Sequence, residues 1–388
     1  MSSGEAIQIA AVGVGETEYV RRGAAPLAEL VVEACSRALT DAGLSPSDVD
    51  GIVTEANSMP QQAPADMVQT ALGIKERRFT AHSGVWGAGI VGAAQMARLA
   101  IQSGQADVVL TYFGVDFGSS PGGPYALHAV DPLKASLEMP VGWYGQPLYF
   151  ASIAQRYAYE YGLRPEQLGE LAIAARKHAA LTPGALRPQA LDLEGYLASP
   201  MIAEPLRAAD CCLVNDGAAA VVYTSLERAR DLAKDPVVVA GVGTASAPIS
   251  QSSYFTQHRN YLGTPATLSS QKAFGEAGLS IDEVDFAEIY DCFTITDIMQ
   301  IEDLGFCGKG EGAAFVEGGR TGPGGAMPIN THGGSLAHSY LLGANHVVEA
   351  VRQLRHERGS GQVAKAEVGL VAGLGVPDHT TLLLTVDR

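Results

Sequence analysis

Apolar runs and amphipathic stretches alternate along the chain as they do in α/β proteins. The stretches 27–42 and 89–103 are rich in Ala and Leu, and each is followed closely by a glycine, which predicts two helices with glycine C-caps. The runs 108–112 and 237–242 are almost entirely apolar, as strands are when helices cover both faces of their sheet. The pattern therefore predicts a sheet buried between layers of helices.

Two antiparallel strand pairs are predicted, one in each part of the chain. Residues 368–374 and 380–386 flank a short turn and have the pattern of a hairpin. Residues 108–114 and 218–224 have the same character, but about a hundred residues separate them, far more than in an ordinary loop. We interpret this segment, about 116–205, as an insertion with its own helices, and we expect it to cover the active site.

Short sequence blocks recur in the same order in the two parts of the chain. One pair is Asp41-Ala-Gly-Leu-Ser45 with Glu276-Ala-Gly-Leu-Ser280, each followed by an acidic residue, valine and aspartate. Further pairs are 11–15 with 240–243, 84–96 with 333–351, and 106–110 with 366–370. Repetition in order indicates a duplicated unit, so we predict related halves 1–235 and 236–388. The alternative is two unrelated α/β domains that share common turns.

Charge and composition narrow the classes of function. The chain has 388 residues, of which 26 are basic and 42 acidic, and its net charge of −16 disfavours nucleic acid and anionic membranes as partners. The five cysteines include no CxxC pair, and no apolar run is long enough to cross a bilayer. We therefore expect a cytoplasmic protein with reduced thiols.

Three segments carry a family resemblance. They are Asp210-Cys-Cys-Leu-Val-Asn-Asp216, Glu288-Ile-Tyr-Asp-Cys-Phe293, and Asn330-Thr-His-Gly-Gly334 with the later Leu342-Gly-Ala344. Together they resemble the thiolase superfamily and, within it, the branch of lipid-transfer, or sterol carrier thiolase-like, proteins. The resemblance implies an α/β thiolase fold. This fold has two duplicated βαβαβαββ halves and a helical cap or loop insertion in the first.

The residues that a thiolase uses in catalysis are replaced in this chain. The resemblance implies a nucleophilic cysteine within 82–89 and a second cysteine just before Gly373, but neither place has one. Tyr340 stands where the family has a histidine, and Tyr290 where it has an asparagine or a histidine. Because a cysteine forms the acyl-enzyme in such enzymes, acyl transfer through a thioester intermediate is disfavoured.

The chain is also similar to the steroid side-chain-cleaving acyl-CoA aldolases, a subset of the lipid-transfer branch that has this pair of tyrosines. The resemblance implies retro-aldol cleavage of a 17-hydroxy steroid side-chain CoA thioester to a 17-ketosteroid and propionyl-CoA. Such a cleavage needs a base for the hydroxyl, a stabilised enolate, and an acid for the α-carbon. By resemblance, Tyr290 is the candidate base and Tyr340 the proton donor, although the roles could be exchanged. No cofactor is implied beyond the CoA of the substrate.

Other candidate residues accompany the two tyrosines. His332 precedes a glycine turn from which its ring could reach the thioester carbonyl, and a turn histidine bonded to backbone is an equal alternative. The amides of Gly333 and Gly334 are candidate oxyanion donors. Further candidates for substrate binding are His82, Trp86 and Gly373, and the insertion adds the aromatic residues Trp143, Tyr144 and Tyr149.

Several polar residues have a structural interpretation. Each tyrosine could be a buried residue with a satisfied hydroxyl. We expect Asp216 and Asp291 to hold backbone amides, and His338 and His346 to lie at the start of a helix and at the surface. No metal site is predicted, because the nine histidines form no HxxxH or HxH pair with carboxylates. Lys309 lies outside the family-matched turns, which disfavours a Schiff base.

Alternatives for function stay open. One is a thiolase-like acyl-CoA acyltransferase with an unrecognised nucleophile, for which Cys292 is the best candidate. Another is a non-catalytic subunit that binds acyl-CoA or scaffolds a complex, and a third is an aldolase for a different β-hydroxyacyl-CoA. The resemblance also implies a homodimer paired through the strand near 80–90. It further implies a small OB-fold partner domain associated with an enoyl-CoA hydratase.

Overall fold

A mixed β-sheet runs through the protein. The computed structural model describes residues 7–55, 63–84, 86–126, 131–132, 134–247, 262–375 and 377–387. Nine strands form the sheet, in the order β3-β2-β4-β7-β1-β8-β11-β10-β9, and β5 and β6 form a separate small pair. The strands are β1 (Ile9–Glu16), β2 (Gly51–Thr54), β3 (Phe79–His82), β4 (Val108–Asp116), β5 (Met201–Ala203), β6 (Leu206–Arg207), β7 (Asp216–Ser225), β8 (Val237–Ser246), β9 (Phe286–Ile289), β10 (Val368–Leu374) and β11 (Asp378–Val386).

Helices that end at a glycine have nearly the bounds that the sequence pattern predicts. The helices are α1 (Leu27–Ala42), α2 (Ala65–Leu72), α3 (Trp86–Gln102), α4 (Gln146–Tyr161), α5 (Pro165–Ala180), α6 (Leu193–Leu197), α7 (Leu226–Ala229), α8 (Ala266–Ala277), α9 (Thr294–Leu304), α10 (Gly312–Phe315) and α11 (Ala344–Leu354). The end of α1 is set by Gly43, which has φ of 69° and caps the helix as predicted. Helix α3 begins three residues earlier than the predicted 89–103.

The two parts of the sheet repeat one arrangement around its centre. Strands β1 and β8 meet there through the pairs Ala10–Val238 and Ala11–Val237. Outward from β1, strands β7 and β4 pair antiparallel and β2 then pairs parallel. Outward from β8, strands β11, β10 and β9 follow the same sequence of pairings. This matches the predicted duplicated fold, while the boundary at residue 235 stays a prediction.

Helices lie in three layers around the sheet. Helix α1 packs on β1, β4 and β7, and α8 packs on β8 and β11. Helices α3 and α11 contact strands of both halves, so they form a central layer. Glycines permit the outer contacts: a Cβ at Gly15 would lie 2.2 Å from the Ala34 carbonyl oxygen, and one at Gly243 would lie 2.1 Å from that of Ser269. The repeated glycines are therefore helix-packing positions.

The insertion 116–205 covers the C-terminal half. Its helices α4 and α5 include the predicted helical stretches and pack against α9, and α5 also packs on the helical turn Gly334–His338. Asp216, at the start of β7, accepts hydrogen bonds from the amides of Gly23, Gly118 and Ser119, so it holds backbone as expected. Within the described part of the chain, no helix combines the length and the apolar content needed to cross a membrane.

The buried His379 should make folding stability sensitive to acid. Its Nδ1 lies 2.7 Å from Ser269 Oγ, and burial lowers its pKa to about 3. In the unfolded chain the same histidine binds a proton near pH 6.5. As the pH falls from 6.5 towards 3, protonation therefore stabilises the unfolded state alone, and the free energy of unfolding decreases. Between pH 7 and pH 5 this residue should lower the free energy of unfolding by about 2 kcal/mol, as measured by urea denaturation.

The variant pair His379→Asn and His356→Asn isolates this effect. His356 is exposed and has φ of 56°, which asparagine tolerates, so its replacement should leave the pH slope of stability unchanged. His379→Asn should lower stability at pH 7 but flatten the slope. An unchanged slope in His379→Asn would contradict the assignment.

Candidate active site

A large cavity opens between the insertion and the C-terminal half. Its volume is about 1220 Å³ with the open mouth included. The walls are mostly apolar and aromatic, with few polar side chains, as in pockets for hydrophobic ligands. The insertion contributes Phe117, Pro124, Gln146, Pro147, Phe150, Arg187 and Ile202, and the C-terminal half contributes Tyr290, Cys292, Phe293, Tyr340, Leu374 and Gly375.

The structure brings Tyr290 and Tyr340 together in the wall of this cavity. Tyr290 directly follows β9, and Tyr340 follows the helical turn Gly334–His338. Their hydroxyl oxygens lie 2.8 Å apart, within hydrogen-bond distance, and either one could donate. Both side chains are buried, yet both line the cavity. The pair is therefore positioned to act on a molecule held in the cavity.

The backbone around each tyrosine is held by hydrogen bonds. The amide of Tyr290 donates to the Ala372 carbonyl at 2.9 Å, and Gln300 Nε2 donates to the Tyr290 carbonyl at 2.8 Å. The amide of Tyr340 donates to Asn215 Oδ1 at 2.7 Å, and the Phe117 ring stacks on the Tyr340 ring. These contacts hold both residues through their backbone and, for Tyr340, through its ring.

Burial decides the protonation state of Tyr290. It raises the pKa of the phenol well above its ordinary value, and the neighbouring Tyr340 raises it further. Tyr290 is therefore neutral near pH 7, where it acts as a hydrogen-bond donor and can pass on a proton. It is not a preformed phenolate base.

The start of α3 has an unusual backbone in the cavity wall. Trp86 has φ of 57°, a left-handed conformation that is uncommon for a large residue, and its side chain lines the cavity as predicted. Its amide donates to Glu55 Oε1 at 2.7 Å. The next residue must be glycine, because a Cβ at Gly87 would lie 2.9 Å from the Tyr290 ring. His82 is exposed at the end of β3 and is not among the described residues that line the cavity.

The glycine turn shapes the backbone and does not line the cavity. A Cβ at Gly334 would lie 2.1 Å from Asp291 Oδ2, and the amide of Gly333 already donates to the Asn330 carbonyl. The Asp291 carboxylate accepts the amide of Ser335, which confirms that it holds backbone. The placement therefore gives no support to an oxyanion role for the turn. Gly373 is a packing position too, since its Cβ would lie 2.3 Å from the Gly87 carbonyl oxygen.

His332 lies behind the cavity wall. Its Nδ1 is 3.1 Å from Glu288 Oε2, and its Nε2 is 3.0 Å from Asn345 Nδ2. Burial lowers its pKa well below the ordinary value, and the nearby His346 lowers it further. His332 is not among the described residues that line the cavity. The prediction that its ring reaches a thioester carbonyl therefore has no geometric support.

The expectation that His338 and His346 lie at the surface is wrong, because both side chains are buried, although His346 does lie in the first turn of α11. Burial lowers the pKa of His338, whose Nδ1 lies 2.8 Å from Ser339 Oγ. Burial also disfavours the charged form of His346, but its hydrogen bond with Asp291 outweighs this and raises the pKa. The burial of His346 is not predictable from the sequence, because polar residues on a helix normally face water. Helix α11 instead lies in the central layer, where protein surrounds it.

Among the described residues, Glu288, His332 and His346 form a buried group of metal-ligand types. Their ligand atoms lie within 4.8 Å of one another. Their positions in the chain are far apart and give no spacing motif, so the sequence could not indicate the group. His346 Nε2 is hydrogen-bonded to Asp291 Oδ1, and His332 Nδ1 lies 3.1 Å from Glu288 Oε2 without the geometry of a hydrogen bond. The group therefore forms a buried polar network behind the tyrosines.

Three cysteines line the cavity, of which the sequence had indicated one. They are Cys211, Cys212 and Cys292. Burial raises the pKa of Cys211 to about 12 and raises that of Cys212 and Cys292 well above the ordinary value. Because the thiolate is the nucleophilic form, these thiols are poorly suited to acyl transfer near neutral pH.

The insertion contributes cavity residues that no sequence motif had indicated. Phe150 stacks on Phe293 with ring centroids 4.6 Å apart, and Arg187 is the charged residue of the described wall. The predicted aromatic residues Trp143, Tyr144 and Tyr149 are absent from the described wall. Tyr149 is buried inside the insertion, and Trp143 packs on it edge to face.

Comparisons with known proteins agree with the geometry. The profile of the family "Thiolase C-terminal domain-like" matches residues 247–385. A steroid side-chain-cleaving aldolase of Thermomonospora curvata is 35% identical over 98% of both chains. A 17-hydroxy-3-oxo-4-pregnene-20-carboxyl-CoA lyase of Mycobacterium tuberculosis is 36% identical over 97% of this chain and 99% of its own.

A solved structure gives the same relationship. The structure described as an Ltp2-ChsH2(DUF35) aldolase superposes with a TM-score of 0.92 at 33% identity, covering 98% of both chains. Identity at this level over nearly the whole length extends to both halves and the insertion. The chain therefore belongs to the thiolase superfamily, in its sterol-carrier thiolase-like branch and alongside the steroid side-chain-cleaving aldolases.

Proposed function

We propose that this protein is a carbon–carbon lyase that cleaves a steroid β-hydroxyacyl-CoA by a retro-aldol reaction in the cytoplasm. The substrate is a 17-hydroxy steroid side-chain CoA thioester, and the products are a 17-ketosteroid and propionyl-CoA. The observation that carries the proposal is the pair of phenol oxygens 2.8 Å apart in the wall of an apolar cavity. The names of the two similar proteins, an aldolase and a carboxyl-CoA lyase, support it.

The proposed reaction moves one proton from oxygen to carbon. The β-hydroxyl of the substrate loses its proton and becomes the ketone. The electrons of the broken carbon–carbon bond pass to the α-carbon through the thioester enolate, and a proton then reaches that carbon. No oxidant, reductant or covalent enzyme intermediate is needed. A cysteine is therefore unnecessary in this chemistry.

The two phenols carry this proton together. One phenol oxygen accepts the proton of the β-hydroxyl and releases its own across the hydrogen bond, and the second phenol protonates the α-carbon. Both phenols are neutral before and after the transfer, which fits the raised pKa of Tyr290. Either residue could occupy the first position, because either hydroxyl could be the donor.

The alternative acyltransferase reaction lacks a suitable nucleophile. The cavity cysteines are held as thiols by burial. The other alternative, a non-catalytic subunit that binds acyl-CoA, would leave the fixed pair of phenols without a function. The geometry thus favours catalysis by proton transfer.

We propose that the chain works with a small OB-fold partner and as a homodimer. The solved structure with the same fold carries ChsH2(DUF35) in its description, which supports a partner of that type. Ile202 and Val214 line the cavity and are both exposed, and such apolar residues at a rim suit a protein contact. Strand β3 lies at one edge of the sheet, where a second copy could add its own β3.

Turnover of a defined substrate tests this function. The full-length protein, alone and with a DUF35-type partner, should convert a 17-hydroxy steroid side-chain CoA thioester into a ketosteroid and propionyl-CoA in equal amounts. Product masses measured over time check the reaction. Product formation should be faster with the partner present. If the fragment that contains the β-carbon were instead transferred to added CoA as a new thioester, the reaction would be that of a thiolase.

Removing either phenol hydroxyl should abolish most of the activity. Tyr290→Phe and Tyr340→Phe should each lower kcat by about 10²- to 10⁴-fold, because each breaks the proton relay. The double variant should be little worse than either single one, since the residues act as a unit. Initial rates at saturating substrate measure the effect.

Matched controls separate this loss from general damage. Tyr223 is buried in β7 and lies outside the described cavity wall, so Tyr223→Phe should retain activity. Cys292→Ala should also retain it, whereas a nucleophilic Cys292 would make this variant inactive. Full activity in either Tyr290→Phe or Tyr340→Phe would refute the relay.

The pH dependence distinguishes a neutral relay from a phenolate base. A phenolate with a raised pKa would make kcat rise about tenfold per pH unit through the alkaline range. For the relay, kcat should change by less than about threefold between pH 6.5 and pH 9, because both phenols start neutral. Stopped assays at saturating substrate across this range decide between the two.

A further inference from the structure

Arg187 is a charged side chain in an otherwise uncharged wall. Of the described residues that line the cavity, it alone carries a charge at neutral pH. It lies in the loop between α5 and α6, within the insertion. The side chain is only partly buried, so it faces both the cavity and water. A cation in such a wall needs an explanation, because burying a charge is unfavourable.

The loop that carries Arg187 is fastened to the tyrosine site. The amide of Arg187 donates to the Ala337 carbonyl at 2.9 Å, and the amide of Leu186 donates to the His338 carbonyl at 3.0 Å. Both acceptors belong to the helical turn that leads directly to Tyr340. From the other side, Arg176 Nη1 donates to the Arg187 carbonyl at 3.2 Å. Arg187 is thus held at a fixed place relative to Tyr340.

Among the described residues, no carboxylate forms an ion pair with the guanidinium of Arg187. Within the part of the chain that the structure describes, no ion pair within 4.0 Å involves Arg187, Arg176 or Arg21. Burial lowers the pKa of Arg187, and the positive charge of Arg21 lowers it further. Arg187 therefore adds to the cavity wall a positive charge that no carboxylate of the described residues neutralises in an ion pair.

Three other arginines with restricted exposure form ion pairs, whereas Arg176 donates to the backbone carbonyls of Arg187 and Gln189. These pairs are Arg352 with Glu16, Arg355 with Asp41, and Arg358 with Glu349. Arg187 differs from these arginines because it lines a ligand cavity, where an anionic group of the ligand is a suitable partner for its charge. The net charge of −16 makes a local cation still more necessary for any polyanionic ligand.

We propose that Arg187 binds the phosphate groups of the CoA portion of the substrate at the mouth of the cavity. The half-buried side chain of Arg187 lines the cavity and also meets water, so its charge lies where the cavity opens. Holding the phosphates there leaves the apolar cavity to the pantetheine arm and the steroid. The inference rests on the proposed function, since it assumes a CoA thioester as substrate.

Substrates with and without phosphates test the site. Arg187→Gln should raise KM for the steroid CoA thioester by about 10- to 100-fold, the range for losing charge-assisted hydrogen bonds, with kcat within twofold. KM for the matching pantetheine thioester, which has no phosphate, should be the same in wild type and variant. Arg187→Lys should recover part of the affinity, because it restores a point charge.

A control variant removes the same charge elsewhere, and two possible results would contradict the proposal. Arg156→Gln removes a positive charge from the exposed face of α4, where Arg156 pairs with Glu160, and should leave both KM values unchanged. Equal rises in KM for the CoA and pantetheine thioesters would overturn the proposal. A fall in kcat with KM unchanged would overturn it too, since it would place Arg187 at the enolate.

Binding of CoA alone separates this inference from the proposed function. By titration calorimetry, Arg187→Gln should weaken CoA binding by the same 10- to 100-fold, and added salt should weaken binding to wild type more than to the variant. If wild type fails to turn over the steroid thioester but this loss is seen, the proposed function fails and the phosphate site stands. If turnover is normal and CoA binding is unaffected, the phosphate site fails and the lyase function stands.

Discussion

The hydrogen bond between the hydroxyls of Tyr290 and Tyr340 is the interaction on which the site depends. It joins two residues 50 positions apart in the chain, one at the end of β9 and one after a glycine turn. Burial keeps Tyr290 in its neutral form, because a phenolate is unfavourable in a buried place. The two phenols can therefore exchange a proton, but forming a phenolate costs free energy. The fold must therefore hold both oxygens at one distance inside an apolar cavity, where a small shift would break the relay.

Asp291 links the two tyrosine segments. It follows Tyr290 in the chain, and its carboxylate accepts the amides of Ser335 and Leu336 in the turn that leads to Tyr340. His346 also reaches this carboxylate from the central helix α11. Burying a carboxylate is unfavourable unless such hydrogen-bond partners surround it. The polar network behind the cavity therefore positions the phenols, and this explains why so many buried histidines and carboxylates lie there without touching the cavity.

Much of the fold and part of the site follow from local patterns. Glycine caps, apolar runs and the repeated glycine pairs predicted α1, the hairpin of β10 and β11, and the duplicated sheet, because each depends on neighbouring residues. Tyr290, Tyr340 and Trp86 line the cavity as expected. His332, Gly333, Gly334 and Gly373 had been candidates for the site because they stand near these residues in the sequence. The structure places His332 in the buried polar network and the three glycines at close contacts with neighbouring atoms.

The sequence by itself determined which chemistry was available: it lacks cysteines at the two family positions and has a tyrosine at each of two others. Only the tertiary structure decided which groups share a wall. Arg187 comes from a loop of the insertion and Phe150 from its helix α4, and His346 is buried because α11 contacts strands of both halves. Long-range packing sets distances, solvent exposure and hence pKa values, and these properties belong to no single stretch of the chain.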